Sequence, residues 1–179
     1  MRARNQGVRD EQIEAAWAGL VSRATRVALA RQDLSYAELA SRLSALGLTE
    51  SARSVEGKVQ RGRFRFSFFL QAVYASGATY PLSWAPVMSS TASWPERATS
   101  LLHAELGAQP WLDWPKVARR LEEIGIWIDA DDLETQVGEG TFSTTLFFQC
   151  ATVCRFDGVQ LYLDSSYVNA IARDGASAS

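Results

Sequence analysis

Shifted against itself by 78 residues, the sequence matches its own second half without a gap. Leu34–Leu48 falls over Leu112–Ile126. Val55, Val59, Gly62, Phe64, Phe69 and Gln71 fall over Leu133, Val137, Gly140, Phe142, Phe147 and Gln149. Between 34–71 and 112–149, 12 of 38 positions are identical, and several others exchange one apolar residue for another. A match of that span without an insertion constrains both halves to one fold. It predicts a tandem of two domains, 10–80 and 93–172. The stretch 78–93 has the prolines and Ser/Thr cluster of a linker, and part of it (Tyr80, Leu82, Trp84) is expected to pack down.

The periodicity within each copy is that of helices. In the first copy Asp10 is placed to cap a helix carrying Ile13, Trp17, Leu20, Val21 and Ala24 on one face and running to about Arg31. Ser35 and Glu38 form a capping box, Leu39 and Leu43 follow, and Gly47 closes. Thr49 is the expected cap of a third helix with Val55 and Val59 inward and Gly62 at its end. Ser67 begins a fourth that Gly77 closes. The second copy repeats this with a Ser93/Glu96 box, a cap at Asp113 and stops at Gly125 and Gly140. The fold class is therefore all-α, two tandem four-helix domains. Beyond Cys154, the alternation in 159–163 predicts a short strand, Asp164 or Ser165 a cap for a helix through Ala172, and 175–179 a disordered tail.

Several function classes lack their signature residues. No apolar run reaches the roughly 18 residues of a membrane helix, and the basic N-terminus has no apolar stretch behind it, so a cytoplasmic protein is expected. Cys150 and Cys154 sit within about one helical turn, awkward for a disulfide, and with one histidine in the chain a zinc site lacks ligands. They read as packed thiols. His103 has no partner nucleophile, and Glu122-Glu123 and Asp131-Asp132 read as solvated faces. Neither a phosphate-cradling glycine loop nor a nucleophile motif is present, so no enzyme and no cofactor is expected.

Charge distinguishes the copies. The net charge is −2, but residues 1–85 carry +5 and 86–179 carry −7. In the first copy two short helices packed on a third have the layout of a helix-turn-helix, whose second short helix enters the major groove. Around its apolar seam that helix and its exit present Lys58, Arg61, Arg63 and Arg65, suited to phosphates. Ser51, Arg53 and Ser54 lie at its start, where base edges are met, and Gly57 permits close approach. Arg2, Arg4 and Arg9 could enter a minor groove, although a disordered terminus is the expectation. Phe64 and Phe69 recur in the second copy and read as core. Phe66 falls over Thr144 and is expected to be exposed.

The run Ser35–Leu43, then Val59-Gln-Arg-Gly62, then an apolar helix ending in glycine resembles the repressor-like helix-turn-helix superfamily. More closely, Leu-Ser-Tyr-Ala-Glu-Leu-Ala-x-x-Leu at 34–43, Lys-Val-x-Arg-Gly-x-Phe at 58–64 and Phe-Phe-Leu-Gln at 68–71 resemble a bacterial family termed domain of unknown function 6471. The resemblance covers most of 20–77 and, more weakly, 98–155. It implies a compact helical repressor-like fold and no assigned activity. The stretch from Leu43 to Val55 is several residues longer than a typical repressor turn.

Where the first copy has Arg53, Lys58, Arg61, Arg63 and Arg65, the second has Asp131, Gln136, Glu139, Thr141 and Ser143. Asp129, Asp132 and Glu134 make the same helix more acidic, a surface that repels phosphate. The expected function is a DNA-binding transcriptional regulator acting on duplex DNA through the first domain. The acidic copy would then serve a protein partner or self-association, a homodimer reading two half-sites being the expected assembly. The alternative is a protein-interaction adaptor or antitoxin-like component that binds no DNA. Mimicry of DNA by the acidic copy, covering its basic sibling, is a third arrangement.

Overall fold

Ten α-helices and two 3-10 turns make up the regular structure of a computed structural model that describes residues 2–163 and 165–176. The first repeat holds α1 (Arg2–Ala30), α2 (Tyr36–Ala45), α3 (Ala52–Arg61) and α4 (Phe66–Ser76). A 3-10 turn (Leu82–Trp84) and α5 (Ala85–Met88) link it to α6 (Trp94–Gly107), α7 (Trp114–Glu122), α8 (Ala130–Gly138) and α9 (Thr144–Cys154). A second 3-10 turn (Val159–Leu161) and α10 (Ser165–Ala176) complete the described chain. Among the described residues no helix is long and apolar enough to cross a membrane.

Local capping chemistry sets most boundaries. Ser35 and Ser93 each close a capping box, their backbone N–H donating to Glu38 (2.9 Å) and Glu96 (2.8 Å). Asp113 caps α7. Five boundaries depart from the sequence-based expectation, the smallest being that of α4, which begins at Phe66 after Arg65 rather than at Ser67. α1 begins at Arg2 rather than Asp10, because nothing between them breaks a helix, so the basic terminus is helical backbone and not a disordered arm. α3 is capped by Ser51 rather than Thr49: Ser51 Oγ accepts from the Ser54 N–H at 3.1 Å. The strand expected over 159–163 is a 3-10 turn entered through Gly158 at φ +79. Asp164 lies outside the described residues, as do 177–179, and α10 continues past Ala172 to Ala176.

The repeats meet about a pseudo-twofold axis. Arg65 and Ser143, 78 positions apart, form a single antiparallel β-bridge. On either side Phe66 N–H donates to the Phe142 carbonyl (3.0 Å) and Thr144 N–H donates to the Phe64 carbonyl (2.9 Å). The aromatic contacts follow the same symmetry. Phe69 meets Tyr162 edge-on at 5.2 Å, Phe147 meets Trp84 edge-on at 5.7 Å, and Trp84 stacks on Tyr162 at 5.8 Å. α4 packs on α6, and reciprocally α9 packs on α1. One continuous apolar core spans both repeats.

Phe66 is the point where the symmetry fails. It is fully buried, not exposed, and its ring stacks on Phe147 at 3.9 Å and on Phe142 at 5.5 Å. Its counterpart Thr144 is equally buried, with an Oγ1 that has no hydrogen-bonding partner. The interface is thus aromatic on one side of the axis and a hydroxyl on the other. In the linker Trp84 and Met88 are buried, as the expectation for Trp84 had it, whereas Leu82 is 92% exposed.

Candidate nucleic-acid interface

α3 buries Val55 and Val59 against α1 and α2 and turns its other face outward. Its exit is fixed by Gly62, in the left-handed region at φ +62, where a Cβ would stand 1.8 Å from the Ala18 carbonyl oxygen. Only glycine allows this approach to the α1 backbone. The extended chain that follows alternates, with Phe64 and Phe66 inward and Arg63 and Arg65 outward. The outward placement of Arg63 and Arg65 is therefore a consequence of how the loop is anchored.

The sequence-selected residues do not share one fate. Arg53, Arg61, Arg63 and Arg65 are exposed, and their side chains make no ion pair or hydrogen bond among the described residues. Arg61 folds back along its helix, its Nη1 lying 3.1 Å from the place a Gly57 Cβ would take, so Gly57 is partly covered. Ser51 is engaged as the α3 cap, and Ser54 Oγ donates to Glu50 Oε2 at 2.8 Å. Lys58 Nζ donates to Glu50 Oε1 in an ion pair and lies 5.1 Å over the Phe68 ring. Burial pushes the Glu50 carboxyl up, and the bonds from Lys58 and Ser54 outweigh it, leaving it below the usual glutamate range. Glu50 was missed from sequence. It sits in the α2–α3 loop, eight positions before Lys58, and only the path of that loop brings the two side chains together.

In the second repeat Asp131, Asp132, Glu134 and Glu139 are exposed around α8, and Asp129 caps it. The long α7–α8 loop holds Trp127 at 61% exposure. Between this loop and the Arg63–Arg65 segment of the first repeat lies a cleft of about 600 Å³. His103 packs edge-on against Trp114 at 5.7 Å. Cys150 and Cys154 are free, buried thiols whose ionisation burial opposes. Among the described residues no three metal-ligating side chains converge.

The model of a family described as a domain of unknown function, DUF6471, matches residues 17–80 and again 94–159. The chain belongs to the DUF6471 family. No curated protein and no solved structure matches it. The first DUF6471 segment starts at Trp17, inside α1, and includes both Ala18 and the glycine turned against it. The second covers α6 to α9 and ends in the last 3-10 turn. The N-terminal half of α1 and all of α10 lie outside both DUF6471 segments. They pack together: α1 meets α10, and a Cβ on Gly125 would lie 3.1 Å from Ile13 and 3.0 Å from the Gly175 carbonyl.

Proposed function

We propose that the chain is a helix-turn-helix protein that binds duplex DNA, in the role of a bacterial transcriptional regulator. The binding face is α3 of the first repeat and the loop that follows it. The observation that carries this reading is the set of four exposed arginines, Arg53, Arg61, Arg63 and Arg65, that the protein itself leaves without acidic partners. In the sibling repeat the equivalent positions are Asp131, Glu139, Thr141 and Ser143. Arg61, Arg63 and Arg65 are assigned to phosphates, where guanidinium forks fit. Arg53, at the N-terminal end of α3, is assigned to a base edge. Lys58 is set aside from the phosphate set because Glu50 holds it.

A labelled random-sequence duplex tests the proposal. Binding is expected at low salt, and replacing Arg61, Arg63 and Arg65 together with alanine should weaken it on the order of a hundredfold near 0.1 M salt. Absence of binding at low salt, or binding indifferent to the three substitutions, would move the chain to the adaptor reading.

A further inference from the structure

The cleft between the repeats is lined at three positions by side chains that differ from their counterparts across the pseudo-twofold. In the first repeat Glu50 and Lys58 pair above the Phe68 ring. Their counterparts are Ile128, Gln136 and Leu146, which make no such pair, and all three line the cleft. Its roughly 600 Å³ falls in the range of small-molecule sites, about 300–1,000 Å³.

Its lining is chemically specific. Arg63 and Arg65 enter from the first repeat with guanidinium groups free of acidic partners. Glu14 is the one acid among the described lining residues, so a net positive charge remains. Trp127 presents an indole that is 61% exposed in an apolar setting of Ile126 and Ile128. Gln149 also lines the cleft. It is 5% exposed, and its side-chain amide makes no hydrogen bond among the described residues. The amide atoms keep access to solvent, so a ligand in the cleft can reach them.

We infer that this cleft binds a small planar aromatic anion of the nucleoside 5′-monophosphate class. The base stacks on Trp127, its polar edge meets the Gln149 amide, and the phosphate is held by Arg63 and Arg65. Stacking on an aromatic ring and bidentate guanidinium contact are the usual means for each part. The inference stands independently of DNA binding. Because Arg63 and Arg65 serve both, the measurements are made without DNA.

Calorimetry and tryptophan fluorescence on the full chain, with AMP, GMP, CMP, UMP and inorganic phosphate as probes, test it. At least one nucleotide should bind with one-to-one stoichiometry and quench fluorescence. Trp127→Ala should weaken binding about tenfold or more, with the helical circular dichroism retained because the indole is exposed. Gln149→Leu should weaken it by a similar factor, and phosphate alone should bind more weakly than the nucleotide by at least that much. The inference is overturned by the lack of saturable binding below about 10 mM, by affinity unchanged in Trp127→Ala, or by phosphate binding as tightly as the nucleotides.

Discussion

The two repeats give their third helices the same support and opposite surfaces. Val55, Val59 and Gly62 seat α3 as Leu133, Val137 and Gly140 seat α8. Yet α3 exits into unpaired arginines while α8 is ringed by carboxylates. Support and surface are separable because they lie on different faces of a short helix, so the fold can be kept while the outward chemistry changes sign. The interface between the repeats shows the same economy. Its reciprocal backbone bonds and aromatic contacts are those of a symmetric dimer, here within one chain, which frees each half to specialise.

The comparison breaks most visibly at the glycines. Gly62→Ala drives a Cβ against the Ala18 backbone, so no folded protein is expected by circular dichroism. Gly77→Ala, equally left-handed at φ +70 but facing open space, should cost about 1–2 kcal/mol. Equal stability of the two variants would contradict the anchoring role of Gly62. Next in size is Phe66→Ala, expected to cost about 3–5 kcal/mol in denaturant unfolding. Since Phe66 lies on Phe147 and Phe142 of the other repeat, the loss should appear as one shifted transition. Two separate transitions would mean the repeats do not share a core. Thr144→Val sharpens the same point from the other side. It removes a buried, unpartnered hydroxyl and should raise stability by about 1 kcal/mol, seen as a higher melting temperature.

The smallest effect concerns Glu105. Burial pushes its carboxyl above the usual range, against the lowering effect of the Trp84 Nε1–H bond at 2.8 Å, with nearby Asp157 adding to the rise. A raised folded-state value means the associated stability is complete below the unfolded pKa and is lost as pH rises through the folded one. Glu105→Gln keeps an acceptor for Trp84 and should therefore be more stable than wild type near neutral pH, the gap closing in acid. A gap that widens in acid would reverse the assignment.

What the sequence made legible follows from what is local. The 78-residue repeat, the Ser35 and Ser93 boxes and the glycine stops are set by neighbours within a few residues, and each lies where its chemistry predicted. Phe66 was not legible, because its partners belong to the other repeat and only the pseudo-twofold brings them within reach. Lys58 was misjudged for a similar reason: its acid is in a loop whose path no periodicity reveals. The alternation in 159–163 is too short to separate a strand from a 3-10 turn that places Val159, Tyr162 and Leu163 inward. Arg155, at the position equivalent to Gly77, takes the left-handed conformation at φ 54 without glycine to announce it.

The direct test of the division of labour is a pair of matched triple-alanine variants, at 61, 63 and 65 in the first repeat and at 139, 141 and 143 in the second. Each is titrated with duplex DNA across a salt series. The first should flatten the slope of log affinity against log salt by about 2.7, from roughly 0.9 per phosphate contact. The second should leave the slope unchanged and affinity equal or slightly higher. Equal flattening in both, or none in either, would contradict a basic repeat that meets DNA beside an acidic one that does not.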